Sequence, residues 1–302
     1  MTTAAGEHAE RFTLLRPLLF TIAYEILGSA TESDDVLQES YLRWAEVDLA
    51  EVRDSKSYLA ALVTRQSLNA IRAESRRRED YIGPWLPEPL LLDSSGDEGA
   101  SADVLLAESV SMAMMVVLET LSPDERAVFV LREVFGFSHD EIASAIGKST
   151  GAVRQMAHRA REHVQARRKR FDPVDPQQSV ALTTQFFTAA ATGDVEGLMS
   201  MLAPDVVWTA DSDGKASAAR RPVRGADKVA KLVMGLVRVA GDTGRVEPAI
   251  YNSAPAFVLY LGDTLEGVIT VEVIDGKITN FYAMRNPEKL AGVTVPRQIG
   301  RV

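Results

Sequence analysis

Residues 138–159, SHDEIASAIGKSTGAVRQMAHR, decide how the first half of this chain folds. Ser138 and Glu141 have capping-box spacing, which predicts a short helix that stops at Gly147. A second helix is expected from about Thr150, because apolar residues recur there at spacings of three and four. A helix, a tight turn and a basic second helix form the helix–turn–helix arrangement. The pattern favours DNA binding, with a generic helical hairpin as the alternative.

The second helix of such a unit offers its first residues to base edges in the major groove, and its basic residues neutralise phosphates. The candidate DNA contacts are Ser149, Thr150, Arg154, Gln155, His158 and Arg159. Residues 147–150, GKST, also look like the end of a nucleotide-binding P-loop. That motif requires glycine at the position of Ile142, so a nucleotide site is excluded.

Charge is strongly segregated around this unit. The 302 residues carry 33 Lys+Arg and 42 Asp+Glu, a net charge of −9. Five arginines and one acid lie between Arg65 and Arg78, and eight bases and one acid lie between Lys148 and Arg170. The intervening stretch from Glu79 to Glu125 carries eleven acids and no Lys or Arg. Two basic blocks separated by an acidic one indicate two nucleic-acid contacts, against the alternative of ordinary solvated helix faces.

The first basic block lies on a predicted helix over residues 57–78. Its polar stripe consists of Arg65, Asn69, Arg72 and Arg76, at spacings of four, three and four. Such a stripe suits duplex backbone or an unpaired strand, and the sequence does not choose between them. An acidic helix precedes it, and the spacing of Thr31 and Asp34 predicts that helix's capped start.

Breaks in helical periodicity divide the chain. Residues 83–89 contain three prolines, and residues 93–101 are polar and flexible in composition. We therefore expect a helical domain over residues 1–80, an acidic linker over 81–108 and a helix–turn–helix domain over 109–172. Residues 173–302 predict a small α+β domain with a curved antiparallel sheet, whose last hairpin turns at Asp275 and Gly276. The predicted fold class is thus two all-α domains followed by an α+β domain.

The residue inventory excludes several chemistries. The chain has no Cys and four scattered His, which excludes thiolate zinc sites, iron–sulfur clusters and disulfides and indicates no metal and no cofactor. We find neither a membrane-length apolar run nor a signal peptide, so a cytoplasmic protein is expected.

These motifs resemble a known family. Residues 34–44, DDVLQESYLRW, with the Arg/Asn helix after them, resemble region 2 of extracytoplasmic-function sigma factors. Residues 121–132, LSPDERAVFVLR, with 137–143, FSHDEIA, and 149–154, STGAVR, resemble region 4. The resemblance implies binding to core RNA polymerase at its β′ clamp helices and β flap, and to promoter DNA. It assigns Asp35, Gln38 and Glu39 to polymerase, Arg65, Asn69 and Arg72 to the −10 element, and Thr150, Arg154, Gln155 and His158 to the −35 element.

The remainder resembles a SnoaL-like domain, a cone of the ketosteroid-isomerase type that a subgroup of these factors carries. This resemblance rests on three motifs: residues 85–89, WLPEP; 211–215, DSDGK; and 286–290, NPEKL. The subgroup implies regulation in cis without a membrane anti-sigma factor. The implied regulatory contacts are Trp85, Leu86, Pro87, Glu88, Pro89, Asp211, Asp213, Gly214, Lys215, Asn286 and Pro287. An acidic linker that occupies a polymerase channel is a further hypothesis, resting on Asp93, Asp97 and Glu98.

Two alternatives stay open. One is a ligand-gated DNA-binding regulator with a small molecule in the C-terminal domain. The other is a SnoaL-type isomerase or cyclase, with Asp211, Asp213, Tyr251, Tyr260 and Tyr282 as candidate acids and bases. Each of these residues also suits a loop or a strand core, and the domain has no His. We therefore expect a promoter-recognising factor and no enzyme.

Overall fold

The computed structural model describes residues 4–93, 104–167 and 176–301, and the side chains of residues 4, 5, 74–79, 104, 176 and 177 lie outside that description. Asp97, Glu98 and the basic residues 168–170 also lie outside the described residues. The described chain consists of two helical regions and a C-terminal α+β domain.

The first helical region contains three long helices. They are α1 (Ala4–Leu27), α2 (Ala30–Trp44) and α3 (Ser55–Glu79), with a 3-10 turn at Leu49–Glu51 before α3. The predicted start of α2 at Thr31 is wrong, because Ser29 is the N-cap and its hydroxyl accepts the Glu32 N–H at 3.1 Å. The preceding Gly28 has φ +73°, so the chain reverses there and fixes the cap two residues earlier.

The second helical region holds the helix–turn–helix. Its helices are α4 (Val104–Ser109), α5 (Met112–Leu118), α6 (Pro123–Phe129), α7 (His139–Ile146) and α8 (Thr150–Arg167), with a π-helical turn at Val130–Val134. The capping box of Ser138 and Glu141 is present, and Gly147 ends α7 with φ +68°. The predicted helix, turn and helix are therefore confirmed.

The C-terminal domain wraps a sheet around helices. Its helices are α9 (Pro176–Thr192), α10 (Val195–Met201), α11 (Ala226–Ala240) and α12 (Pro287–Leu290). Its strands are β1 (Leu202–Asp211), β2 (Val223–Arg224), β3 (Gly244–Tyr251), β4 (Ala254–Leu261), β5 (Thr264–Ile274) and β6 (Lys277–Met284).

The strand order is β2-β1-β6-β5-β4-β3, and β1 runs parallel to β6 while the other neighbours are antiparallel. The sheet is therefore mixed, not purely antiparallel as expected. The hairpin pattern in the sequence reveals only pairs joined by short turns, whereas β1 joins β6 across most of the domain.

Both faces of this sheet are covered. On one face, Phe186, Trp208, Phe257 and Phe281 fill the interior of the cone. On the other face, Tyr251, Val258 and Tyr282 pack with apolar residues from outside the domain, including Leu86 of the linker and Met112 of α5. The C-terminal domain is thus attached to the helical regions through an apolar sheet face.

Candidate functional site

The polar face of α3 is the first candidate surface for nucleic acid. Arg65, Asn69 and Arg72 are all exposed on it, as the periodicity predicted. Arg76 continues the stripe by its position in the helix, but its side chain lies outside the described residues. The opposite face of α3 is buried in a core shared by both helical regions, with Leu59 and Val63 fully buried.

The helix–turn–helix region packs directly against α3. The Arg72 guanidinium lies 3.3 Å from the Asp124 carboxylate at the start of α6, and Lys148 pairs with the same Asp124 at 2.9 Å. Near the other end of α3, the Ser57 hydroxyl donates to Glu141 of α7 at 3.0 Å. One edge of the α3 stripe is therefore engaged by acidic side chains of the second region.

The second candidate surface is the start and outer face of α8. Ser149 caps the helix, since its hydroxyl accepts the Ala152 N–H at 3.3 Å, and Arg154 and Gln155 are exposed. The remaining predicted contacts have acidic partners within the chain. The Thr150 hydroxyl donates to Asp140 at 2.7 Å, Arg159 pairs with Glu125 at 3.0 Å, and His158 lies 3.2 Å from Glu162.

The candidate polymerase surface lies on α2. Asp35, Gln38 and Glu39 are exposed. Glu39 pairs with Arg43 at 2.6 Å and accepts a hydrogen bond from Gln66 of α3 at 3.2 Å. This acidic face is therefore directly coupled to the helix that carries the α3 stripe.

The C-terminal tail reaches the same helix. Arg297 donates to Asp34 of α2 at 2.8 Å, and Arg16 of α1 binds the other oxygen of Asp34 at 3.0 Å. The Gly300 N–H donates to the Thr21 hydroxyl of α1 at 3.1 Å. Arg297 and Gly300 thus attach the tail to α2 and α1 of the first helical region.

The linker motif Trp85–Pro89 binds the first helical region through Glu88. The buried Glu88 carboxylate accepts the N–H groups of Ala30 and Thr31, at 2.9 and 3.1 Å, and the hydroxyl of Ser29 at 2.8 Å. Backbone donors at a helix N-terminus carry partial positive charge, so a carboxylate is favoured there. Glu88 is therefore a second, remote cap of α2.

The same linker binds the C-terminal domain through Asp211 at the end of β1. This carboxylate is fully buried and accepts the Tyr81 hydroxyl, the Leu86 N–H at 2.7 Å and the Lys289 ammonium at 2.8 Å. Burial and the Asp211 carboxylate raise the pKa of Tyr81 above its usual range, so the phenol stays a donor. Lys289 also lies 3.8 Å from the centre of the Trp85 ring. We call Tyr81, Trp85, Leu86, Asp211 and Lys289 the linker clamp.

Asn252 forms a further junction between the linker, α1 and the turn that joins α4 to α5. It is fully buried with φ +52°, its side-chain oxygen accepts the Leu90 N–H at 2.8 Å, and its amide donates to the Tyr24 hydroxyl at 2.7 Å. The same amide donates to the Val110 carbonyl at 2.8 Å. One side chain of the C-terminal domain thus satisfies polar groups from three other segments.

The loop after β1 adds contacts near the solvent. The Ile82 N–H donates to Asp213 at 3.0 Å, and Lys215 bridges Asp213 and Glu288 at 2.8 and 2.7 Å. Hydrogen bonding from Lys215 lowers the pKa of the Asp213 carboxyl. A Cβ on Gly214, whose φ is +66°, would lie 3.2 Å from Ile82. Asn286 donates to Tyr81 at 2.9 Å, while Pro287 is exposed at the start of α12.

A buried carboxyl lies between the two helical regions. Glu25 of α1 is fully buried and accepts the Ser109 hydroxyl, and its second oxygen has no hydrogen-bond partner among the described residues. Burial raises the pKa of Glu25 to about 8. The buried Arg126 donates to the Glu25 backbone carbonyl at 2.6 Å and pairs with Glu119.

Three of the candidate catalytic groups, Asp211, Tyr251 and Tyr282, are buried inside the molecule. Asp211 is occupied by linker donors, and the Tyr251 and Tyr282 side chains are buried against the helical regions. Burial raises the pKa of Tyr251 to about 12. The interior of the cone is filled by aromatic rings, with Phe187 and Phe257 only 3.7 Å apart between centroids. A cavity of about 280 Å³ beside α9 has no charged side chain in its lining.

Sequence reasoning missed four of these residues. Tyr81, Asn252 and Arg297 carry no local motif, although Asn252 in the sequence Tyr-Asn-Ser has a turn signal. Lys289 belongs to the quoted NPEKL motif, and its position within that motif is the signal that could have found it. Among the described residues there is no cluster suited to a metal ion and no helix long and apolar enough to span a membrane.

Comparison with known proteins agrees with this geometry. The family model for sigma-70 region 2 matches residues 12–77, and that for sigma-70 region 4 matches residues 111–164. The ECF RNA polymerase sigma factor SigJ of Mycobacterium tuberculosis is 36% identical over 292 residues, covering 93% of this chain and 92% of the relative.

Two further similarities extend over almost the whole chain. The probable ECF RNA polymerase sigma factor SigI of the same organism is 30% identical over 282 residues, covering 91% of this chain and 92% of the relative. The crystal structure of the M. tuberculosis extracytoplasmic function sigma factor SigJ superposes with a TM-score of 0.75 at 32% identity, covering 95% of this chain and 99% of that structure.

Proposed function

The chain belongs to the extracytoplasmic-function RNA polymerase sigma factors and directs polymerase to promoters, and from this premise we propose that its C-terminal domain restrains that activity in cis. The observation that carries the proposal is the linker between the two helical regions. Its hydrogen bonds run to α2 on one side, through Glu88, and to the C-terminal domain on the other, through Asp211. A linker held on both sides keeps the C-terminal domain docked on the first helical region.

In this proposal, the exposed basic faces of α3 and α8 contact the promoter DNA. Arg65, Asn69 and Arg72, with Arg76 by its place in the helix, contact the −10 element, and the residues at the start of α8 contact the −35 element. In the packed arrangement Arg72 and Lys148 share Asp124, so promoter phosphates must replace an internal carboxylate. Opening of the two regions therefore precedes full promoter contact.

The polymerase contacts of the proposal lie on α2. Asp35, Gln38 and Glu39 face solvent and meet the β′ clamp helices, and region 4 meets the β flap. Arg297 of the C-terminal tail holds the neighbouring Asp34, so polymerase binding and tail binding compete at this helix. No membrane anti-sigma factor is needed, because the restraining surface belongs to the same chain.

We assign no catalysis to the C-terminal domain. Asp211, the best placed acid, accepts three donors from the linker and from α12, which leaves it no free access to a substrate. Aromatic rings also fill the interior of the C-terminal domain. This argues against a ligand-gated regulator, because ligand sites are usually larger, preformed cavities.

Run-off transcription tests the proposal. Core polymerase with the wild-type chain is given a DNA library with randomised −35 and −10 elements, and fragments that yield transcripts are recovered. Asn252→Ala removes three hydrogen bonds that join the domain to the linker, to α1 and to the turn between α4 and α5. We expect several-fold more transcript per bound polymerase from this variant.

The matched control is Asn280→Ala, which removes an amide that bonds Glu272 within the C-terminal domain. It should transcribe like the wild type, and circular dichroism should show both variants folded. Equal transcript from Asn252→Ala and the wild type would contradict regulation through this junction. Failure of the wild type to initiate on any fragment would contradict the initiation function itself.

A further inference from the structure

A basic surface on the C-terminal domain takes no part in the contacts described above. Between Lys215 and Arg238 the chain carries seven bases and one acid, Asp227, although the domain as a whole is nearly balanced in charge. The six bases beyond Lys215 are all exposed: Arg220, Arg221, Arg224, Lys228, Lys231 and Arg238. We call these six the β2–α11 patch.

Nothing within the described chain neutralises this patch. Lys215 pairs with Asp213 and Glu288, whereas none of the six patch residues makes an ion pair with any residue that the structure describes. Most other exposed arginines on the helical regions have carboxylate partners, such as Arg43 with Glu39 and Arg161 with Glu133. An unneutralised group of like charges costs free energy and is typical of a surface that meets a polyanion.

The patch has the geometry of a row. Lys228, Lys231 and Arg238 lie at spacings of three and seven, so they follow one side of α11. At 1.5 Å per residue this row is about 15 Å long, which matches about four phosphates of one DNA strand. Arg224 lies on β2, the edge strand directly before α11, and extends the row toward the linker.

The Arg220 end of the patch lies close to the end of α3. The backbone oxygen of Arg220 lies 3.7 Å from where a Cβ on Gly83 would be, and Ile82 bonds the Asp213 side chain. Ile82 follows the last residue of α3, Glu79, by three positions, a separation of at most about 11 Å. The patch therefore lies next to the C-terminal end of the helix that carries the −10 stripe.

We propose that the β2–α11 patch is a third promoter contact, binding the phosphodiester backbone of the DNA that adjoins the −10 element. The proposal rests on the sigma-factor function of the chain and gives the C-terminal domain a positive role besides restraint. DNA is favoured over an acidic protein surface because the Arg220 end of the patch lies near the C-terminal end of α3, the helix that carries the stripe. Such contacts carry no sequence information, so they add affinity on any promoter.

Salt-dependent binding tests this contact. The wild-type holoenzyme is titrated onto a fluorescent promoter fragment recovered in the run-off experiment, over a series of salt concentrations. Each phosphate contact contributes about 0.9 to the slope of log affinity against log salt. The variant Arg224→Gln/Lys228→Gln should lower the slope by about 1 to 2 and weaken binding about three- to tenfold. Adding Arg221→Gln and Lys231→Gln should roughly double the change in slope.

The control is Arg245→Gln/Lys277→Gln, which removes the same charge from the same domain. Arg245 lies on β3, the opposite edge of the sheet from β2, and has its own partner in Glu247. The control should keep the wild-type slope. Equal slopes for the wild type and the patch variants would overturn the proposal, while wild-type initiation would still stand.

A binding assay with core polymerase and no DNA distinguishes promoter DNA from the alternative partner, an acidic protein surface. Patch variants should bind core polymerase as the wild type does. If they bind core polymerase more weakly and keep the wild-type DNA slope, the patch meets an acidic polymerase surface and the proposal fails.

Discussion

At the residue scale, Asp211 shows how one buried carboxylate can join two domains. Burying an ionised carboxylate is costly unless donors surround it, and here two of the three donors come from the linker, from Tyr81 and Leu86. The third is Lys289, whose side chain is 10% exposed. The charge pair is therefore stable only while the linker is docked.

Asp211→Asn is predicted to undock the linker. The substitution leaves the Lys289 ammonium without its carboxylate, and breaking one partner of a buried pair costs about 3–5 kcal/mol. Limited proteolysis of the linker, with thermal unfolding in parallel, should show faster cleavage and a lower Tm. Asp213→Asn, on the solvent side of the same loop, should change stability by less than about 1 kcal/mol. Equal cleavage rates for both variants and the wild type would contradict the claim that the linker clamp holds the linker in place.

At the element scale, the packing of α1 against α4 and α6 depends on a protonated carboxyl. The groups around Glu25 are Ser109 of α4, Arg126 of α6, Glu119 after α5, and Glu88 and Tyr24 through the linker junction. Burial raises the pKa of Glu25 to about 8, from an ordinary value near 4.5. Between about pH 4.5 and 8, Glu25 therefore carries a proton in the packed state and loses it in the open or unfolded chain.

Stability should therefore fall as pH rises. Because the packed-state pKa is raised, the contribution is fully present below about pH 4.5 and is lost as pH rises through about 8. Glu25→Gln imitates the neutral acid and keeps an acceptor for Ser109. Urea unfolding between pH 5 and about 9 should show a smaller decline for this variant than for the wild type. Parallel pH profiles for the two proteins would contradict a buried, protonated Glu25.

At the scale of the whole molecule, apolar burial holds the two helical regions together more than ion pairs do. One continuous core contains residues from α1, α2, α3 and the helix–turn–helix region, with Leu118 and Val153 fully buried. The Arg72 side chain is 59% exposed in its pair with Asp124, and such pairs contribute at most about 1 kcal/mol. Salt alone should not separate the regions.

A fluorescence-transfer pair tests this closed arrangement. The chain has no Cys, so Thr13→Cys and Gln165→Cys, both at exposed positions, give clean labelling sites. Transfer should be unchanged by Asp124→Asn or by about 1 M salt, which screens surface pairs, and should fall when core polymerase binds. Leu118→Ala, which costs about 2–5 kcal/mol of core stability, should lower it. A loss of fluorescence transfer in Asp124→Asn alone would show that the ion pair, and not the apolar core, holds the two helical regions together.

Features that depend only on residues close together in the chain can be predicted from the sequence. The cap at Ser138, the turn at Gly147 and the stripe from Arg65 to Arg72 depend on neighbours within a few residues, so periodicity and spacing predict them. The predicted start of α2 at Thr31 is wrong for a local reason, because Ser29 and Glu32 have the same capping spacing directly after Gly28, and Ser29 is the N-cap. The family is recognisable from local motifs of this kind.

Tertiary structure alone decided which surfaces are free. No spacing rule places Asn252 against Tyr24, Tyr81 on Asp211, or Arg297 on Asp34, because each contact joins segments more than 100 residues apart. The same is true of charge: Arg72 has an internal carboxylate while the β2–α11 patch has none among the described residues, although both read as basic stretches. Sequence sets the charges that a chain carries, and only packing sets which of them remain for a partner, because neutralisation depends on distance in space.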